Sequence, residues 1–173
     1  VTVKFPDGTT ATTVADSKGD WTVPNPGTLK DGDEVTATAK DPAGNEGTAK
    51  EPVDGIAPNI DINPINPKDP ITGITEPGAD VTVKFPDGTT ATTVADSKGD
   101  WTVPNPGTLK DGDEVTATAK DPAGNEGTAK EPVDGIAPNI DINPINPKDP
   151  ITGITEPGAD VTVKFPDGTT ATT

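Results

Sequence analysis

Short apolar segments alternate with polar residues along the chain, and turn residues separate these segments. In Val81–Phe85 every second side chain is apolar, with Thr82 and Lys84 between them, and Glu114–Lys120 alternates in the same way. Because successive side chains of a strand point to opposite faces, a period of two predicts strands with one buried and one solvated face. No segment has the spacing of an amphipathic helix.

The sequence also repeats itself at long range. Residues 1–80 recur without change as residues 81–160, and residues 161–173 begin a third copy. A shared fold does not require identity at surface positions, so recent duplication is the simplest explanation. Arrays of repeats provide length and spacing. The repetition therefore favours a structural role over an active site.

A linker-like segment sets the domain boundaries. Residues 53–59 contain Gly, Pro and Asp, as interdomain linkers do. This segment predicts one complete domain over residues 56–135. Residues 1–55 are then the later strands of one domain, and residues 136–173 are the opening strands of another. Because the chain starts in what reads as mid-strand at Val1, we expect it to be a fragment of a longer, exported protein.

Seven strands are predicted in the complete domain. They are Asn59–Asn63, Ile71–Glu76, Val81–Phe85, Thr90–Ala95, Trp101–Val103, Glu114–Lys120 and Gly127–Val133. Turn sequences such as Pro86-Asp87-Gly88 separate them. This spacing predicts an all-β fold of tandem immunoglobulin-like, seven-stranded β-sandwich repeats, without the usual Cys pair and arranged as an elongated rod.

The charge of the chain limits its partners. It carries 29 Asp and Glu against 13 Lys and no Arg, a formal net charge of −16. Such a surface disfavours nucleic acid and anionic membranes, because phosphate binding needs clustered Lys and Arg. No apolar run approaches the roughly 20 residues that a membrane-spanning helix needs. The sequence contains no His or Cys, the commonest general base and the thiol nucleophile, so we expect no enzymatic activity.

Four segments together resemble a known family. They are ITGITEPGADVTV at residues 71–83, FPDGT at 85–89, DWTV at 100–103 and VTATAKDPAGN at 115–125. The ensemble is similar to the bacterial Ig-like tandem repeats of biofilm-associated surface adhesins, above all the C-repeats of biofilm-associated proteins of Gram-positive bacteria. The resemblance implies an extracellular rod on the bacterial cell surface, anchored to the cell wall or secreted. Such a rod carries an adhesive tip in cell adhesion and biofilm formation.

The resemblance also implies Ca²⁺ at the domain junctions, as in several members of the family. The junction aspartates are Asp54 and Asp134. Where the family commonly has Asp-Thr-Thr-Ala-Pro, this chain has Asp-Gly-Ile-Ala-Pro, and the glycine predicts a looser junction.

Carboxylates near these junctions are candidate calcium ligands. In the predicted topology, loops 76–80, 96–100 and 121–125 share one pole that faces the preceding linker. The predicted ligands are Asp54, Glu76, Asp80 and Asp121 at one junction, and Asp134, Glu156 and Asp160 at the other. The alternative is that these carboxylates stabilise turns on a solvated surface. Turn chemistry is our interpretation of Asp96 to Asp100 and of Asp111 to Asp113, because neither matches the EF-hand spacing.

The two tryptophans have two interpretations. Trp21 and Trp101 would suit a ligand-stacking platform, for instance for a sugar. Each, however, stands in a strand that alternates with Thr and Val, which favours a place in the core.

Two hypotheses of function follow. The first is a structural stalk or spacer whose partners are the neighbouring repeats of the same chain, stiffened at its junctions by Ca²⁺. The second is a binding module in which the repeats contact a host ligand or sister repeats. Head-to-tail self-association is expected if strands within residues 136–173 complete the half-domain of residues 1–55 in another molecule. A concave or apolar surface patch would favour the binding module.

Overall fold

The computed structural model describes residues 1–173 and consists of strands, turns and irregular segments. Its strands are β1 (Thr2–Lys4), β2 (Thr10–Thr12), β3 (Glu34–Lys40), β4 (Glu46–Pro52), β5 (Asp61–Ile62), β6 (Ile71–Ile74), β7 (Asp80–Lys84), β8 (Thr90–Val94), β9 (Asp100–Val103), β10 (Glu114–Lys120), β11 (Glu126–Pro132), β12 (Asp141–Ile142), β13 (Gly153–Ile154), β14 (Thr162–Lys164) and β15 (Thr170–Thr172). The chain divides into two compact units, Val1–Asp134 and Gly135–Thr173.

Strands β5 to β11 form two antiparallel sheets. One has the order β5-β6-β9 and the other the order β11-β10-β7-β8. A parallel bridge joins Ile65 to Val133, and the Asp134 amide donates to the Ile65 carbonyl at 2.8 Å. This is the seven-stranded, immunoglobulin-like sandwich that the sequence predicts, so the predicted fold class is confirmed.

Three of the strands are shorter than predicted. Strand β5 covers only Asp61–Ile62, β6 ends at Ile74 instead of Glu76, and β8 ends at Val94 instead of Ala95. Beyond Ile74 the Thr75 amide still donates to the carbonyl of Gly99 at 2.9 Å, and a turn follows in which the Ala79 amide donates to the Glu76 carbonyl at 3.1 Å. The ends of the strands therefore depend on the neighbouring loop.

The core of the sandwich lies between these two sheets and centres on Trp101. Trp101 is cross-strand partner to Gly73, and a Cβ on Gly73 would overlap both the indole ring and the Asp61 carbonyl oxygen. Only glycine leaves room for the indole to lie across the neighbouring strand. The Trp101 ring is buried, and its Nε1 has no hydrogen-bond partner. A core position for Trp101 is confirmed.

The first repeat forms only one of the two sheets. Its strands have the order β2-β1-β3-β4, which corresponds to β8-β7-β10-β11 of the complete domain. Residues 20–23, the counterpart of β9, are not a strand. The prediction of a core position for Trp21 is wrong, since Trp21 is 44% exposed against 2% for Trp101. The physical reason is that β9 pairs with β6, and no strand takes that place beside residues 20–23.

The second unit contains two hairpins, which are the opening strands of the partial domain predicted over residues 136–173. Strand β12 pairs with β13, and β14 pairs with β15, both antiparallel. Several of its isoleucines are exposed, among them Ile140, Ile145 and Ile154. These two hairpins repeat the local pairing of β5 with β6 and of β7 with β8.

Candidate junction site

Three loops of the complete domain meet at one end of the sandwich. The Thr75 amide bonds the Gly99 carbonyl, which joins loop 76–80 to loop 96–100. Asp80, where β7 begins, is in register with Lys120, where β10 ends, so loop 121–125 lies beside them. The shared pole that the sequence predicts is thus present in the structure.

The linker before this pole is hydrogen-bonded to residues on both sides of it. The Gly55 amide donates to Asp31 Oδ1 at 3.0 Å, which ties the linker to the loop before β3. The Ile56 amide donates to Asp54 Oδ1 at 3.1 Å. From the complete domain, Asn125 Nδ2 donates to the carbonyl of Asp54 at 3.1 Å. The glycine that was expected to loosen the junction is itself anchored through its amide.

Asn125 is held in place by Asp121. The Asn125 amide donates to Asp121 Oδ1 and its Nδ2 donates to Asp121 Oδ2, both at 2.9 Å. The Asp121 amide donates in return to the Asn125 carbonyl at 3.1 Å. One side chain therefore closes its own loop and also binds the linker. The binding of the linker by Asn125 was not predicted from the sequence. The spacing of Asp121 and Asn125 was the signal that could have indicated it.

The Asp121 carboxylate is stabilised in its charged form. It is buried, and burial by itself raises the pKa of a carboxyl group. Hydrogen bonds from the Asn125 side chain and from the amides of Asn125, Gly124 and Ala123 outweigh burial, so the pKa of Asp121 lies below its usual 3.8. Asp121 is therefore an ionised loop cap at the centre of the junction.

The other predicted calcium ligands of this junction lie at the same pole. Asp54, Glu76 and Asp80 are exposed, and the Glu76 carbonyl accepts the Ala79 amide at 3.1 Å. Both carboxylate oxygens of Asp121 already accept N–H donors from Asn125. The 173 described residues contain no group of three His, Cys, Asp or Glu side chains arranged to hold a metal ion. These side chains share a pole without forming a calcium-binding group, and calcium binding stays a prediction.

The remaining predicted ligands belong to different units. Asp134 ends the first unit, where its amide bonds Ile65. Glu156 and Asp160 lie in the loop between β13 and β14 of the second unit, and the Glu156 carbonyl accepts the Ala159 amide at 3.2 Å. Their role as ligands also stays a prediction.

Several other aspartates stabilise turns, as interpreted from the sequence. Asp96 Oδ1 accepts the amides of Lys98 at 2.7 Å and Asp100 at 3.1 Å. Asp113 Oδ2 accepts the Lys110 amide at 2.9 Å. Carboxylates that cap loop amides in this way confirm the turn interpretation for Asp96 and Asp113.

The structure contains no helix with the length and apolar character that a membrane crossing requires.

Comparison with known proteins identifies the complete domain. Residues 57–133 match the family model of the bacterial Ig domain, Big_6. These residues contain β5 to β11, the whole sandwich. Residues 57–133 are therefore similar to a bacterial Ig domain, the kind of repeat that the sequence predicts. No curated protein matches the chain.

Solved structures of large adhesins are similar to this chain at low identity. One is a tetra-tandem repeat in the extending region of a large adhesion protein, with 20% identity, a TM-score of 0.38, and 99% of this chain and 53% of that chain covered. Another is a 1.5-MDa bacterial ice-binding adhesin described for host cell surface retention, with 20% identity, a TM-score of 0.36, and coverage of 99% and 82%. A third is a Ca²⁺-stabilized adhesin that helps an Antarctic bacterium reach out and bind ice, with 19% identity, a TM-score of 0.33, and coverage of 99% and 62%.

Proposed function

We propose that this chain is a non-enzymatic spacer in the stalk of a bacterial cell-surface adhesin, where it lies outside the cell and acts in adhesion and biofilm formation. The observation that carries the proposal is the hydrogen-bonded linker. Residues 54–56 are bound by Asp31 on one side and by Asn125 on the other. A stalk transmits position only if its successive domains are coupled, and these bonds supply such coupling.

The identity of the repeats supports the same role. Asp31, Gly55 and Asn125 belong to a unit that recurs unchanged along the sequence. Each further copy would add the same residues for the same linker contacts. A spacer gains length from such copying, and its acidic surface favours solvation between neighbouring molecules.

The contribution of Asn125 to the junction is testable by a distance measurement. The chain has no Cys, so Lys4→Cys and Lys84→Cys place spin labels at equivalent exposed positions of β1 and β7. Asn125→Ala should broaden the distance distribution between the labels, because a net hydrogen bond of about 1 kcal/mol changes a population roughly fivefold. Double electron–electron resonance reads this distribution directly.

Asn45→Ala is the matched control. Asn45 caps Asp41 with the same two bonds, both at 2.8 Å, whereas the side chain that binds the Asp54 carbonyl is Asn125. Asn45→Ala should leave the distribution unchanged. Equal broadening by both variants, or none by Asn125→Ala, would contradict the proposed coupling.

The same labelled pair tests calcium stiffening. Asp54, Glu76, Asp80 and Asp121 bind Ca²⁺ in this hypothesis, and the ion would cross-link the linker to the pole of the complete domain. Millimolar Ca²⁺ should then narrow the distribution relative to EDTA, and Asp54→Asn should remove the effect. An unchanged distribution would withdraw the predicted ligands and leave the direct hydrogen bonds as the coupling.

A further inference from the structure

The chain enters and leaves the complete domain at opposite poles. The preceding linker lies at the pole of loop 121–125, where Asn125 Nδ2 donates to the Asp54 carbonyl at 3.1 Å. Strand β11 begins directly after that loop and ends at Pro132, shortly before Asp134. A seven-residue strand spans about 23 Å, so the linker after the domain starts at the far end of the sandwich.

The segment that contains β5 runs beside β11 in the same direction. Near the entry, the Pro58 carbonyl oxygen lies so close to Gly127 of β11 that a Cβ there would overlap it. Near the exit, Ile65 and Val133 form a parallel bridge. The contacts follow in the same order along both segments, so the two segments are parallel neighbours over most of β11.

Hydrogen bonds and apolar burial fix the exit end of this parallel pair. The Asp134 amide donates to the Ile65 carbonyl at 2.8 Å. The Val133 amide donates to the Asp113 carbonyl at 2.7 Å, and the Val133 carbonyl accepts the Gly112 amide at 2.8 Å. Ile65 and Val133 are 4% and 2% exposed, so the bridge is shielded from water. Together Ile65, Val133 and Asp134 form what we call the exit clamp.

We propose that the exit clamp and the parallel run beside β11 resist a pulling force applied through the two linkers, residues 54–56 and 134–136. Such a force draws the segment before β5 toward the entry pole and draws β11 toward the exit pole. The two segments must then slide past each other, and sliding breaks the bond at Ile65 and the contact at Gly127 together. Peeling breaks such contacts one at a time, each at a lower force. The complete domain is therefore built to carry tension along the chain.

The clamp adds a mechanical property to the spacer. Tension is the load that a stalk carries, so the biological meaning of the clamp rests on the proposed spacer role. The property itself belongs to the complete domain and is measured without any partner. Loss of the clamp would leave the linker bonds to Asp31 and Asn125 in place, and loss of those bonds would leave the clamp in place. The two proposals can therefore fail separately.

Single-molecule pulling on the full chain tests the proposal, with one attachment point in each linker. Ile56 and Ile136 hold the same position in the two linkers and are 64% and 69% exposed. The chain has no Cys, so Ile56→Cys and Ile136→Cys place the handles and only the residues between them bear the load. Their release should give one step of roughly 250 Å, because an extended residue spans at most about 3.6 Å. EDTA is present throughout, so that no cation contributes.

The direction of pulling distinguishes sliding from peeling. Lys98 is exposed in loop 96–100, at the same pole as Ile56. Force between Ile56→Cys and Lys98→Cys therefore peels the segment from β11, beginning at Pro58, and does not slide it. We expect this pair to unfold the domain at a clearly lower force than the pair in the two linkers. Equal unfolding forces in the two directions would contradict the clamp.

Proline at position 134 removes the clamp bond without changing a core side chain. Asp134→Pro lacks the amide that donates to the Ile65 carbonyl, whereas Asp134→Asn keeps that amide. At a fixed force through the linkers, Asp134→Pro should unfold about fivefold faster than the unchanged chain. Asp134→Asn should unfold at the same rate as the unchanged chain.

Val83→Ala is the control for a loss of stability away from the load. Val83 is fully buried on β7, which β10 separates from β11. It should lower the urea midpoint more than Asp134→Pro does, yet change the unfolding rate under load less than about twofold, because its contacts persist when sliding begins. A larger rate change for Val83→Ala than for Asp134→Pro would overturn the proposal, as would equal rates for Asp134→Pro and Asp134→Asn. The comparison of the two Asp134 variants decides alone if Val83→Ala does not fold.

Discussion

Residues 1–53 and 81–133 have the same sequence, yet they reach different structures. Both form the four-stranded sheet with the same registers, for example Val3 with Ala37 and Val83 with Ala117. Only the second copy adds strand β9 and buries its tryptophan. The sheet therefore forms from pairings within the segment, whereas β9 depends on β6, which lies before it in the chain.

The difference between the two copies separates stabilisation within a hairpin from stabilisation by packing against distant strands. The hairpin β3-β4 repeats the cross-strand ion pair of β10-β11, with Lys50–Glu34 at 2.6 Å and Lys130–Glu114 at 2.7 Å. These exposed pairs contribute little, and they are the same in both copies. What the first copy lacks is apolar burial against a second sheet. Burial is the larger stabilising effect in such a domain.

Two glycine substitutions should give the largest contrast between the copies. Gly127→Ala would force a Cβ against the Pro58 carbonyl, and we expect it to destabilise the complete domain by about 1–3 kcal/mol. Gly47→Ala meets no neighbouring atom and should be close to neutral. Urea unfolding followed by far-ultraviolet circular dichroism, which reports the strands of both copies, measures both substitutions.

The glycine pair also has a clear contradicting result. If Gly47→Ala destabilises the chain as much as Gly127→Ala, other residues pack against Gly47. The two glycine positions would then not differ in the space around them. If Gly127→Ala is neutral, the segment before β5 does not pack closely on β11.

A smaller contrast is expected in acid. The folded-state pKa of Asp121 lies below its usual value of 3.8, so the unfolded chain binds more protons as the pH falls. The stability that Asp121 contributes is therefore present above about pH 4 and is lost as the pH falls through the folded-state pKa. The complete domain should lose less stability between about pH 6 and pH 3 when Asp121 is replaced by Asn.

Asp41→Asn is the control for this pH dependence. The pKa of Asp41 is also lowered, chiefly by the Asn45 side chain, but Asp41 is exposed and lies in the first repeat. Its replacement should leave the acid unfolding of the complete domain unchanged. An unaltered pH profile for Asp121→Asn would show that this carboxylate is not a cap that stabilises the fold.

Much of the fold could be predicted from the sequence, because alternation and turn residues act locally. The strands from Val81 to Lys120 follow that alternation closely. The exposure of Trp21 could not be predicted in the same way, since its neighbours in sequence are those of Trp101. Its environment depends on which strands lie across the sheet, and local pattern does not contain that information.

The junction was predictable in position but not in detail. The pole and the linker at Asp54 follow from topology. The role of Asn125 as the side chain that binds the linker does not follow from topology. The carboxylates of these loops indicate metal ligands, whereas Asn125 acts through its amide donor. Asn125 and Asp121 show that one acidic loop residue serves to position a neutral one.

The second copy has both sheets of the sandwich, whereas the first copy has only one of them. Fluorine NMR of the chain labelled with 5-fluorotryptophan tests it most directly, because the sequence has only two tryptophans. At low concentration we expect two resonances, with the Trp21 signal broadened by a soluble paramagnetic agent and the Trp101 signal protected. A single resonance, or two signals broadened to the same extent, would contradict this account.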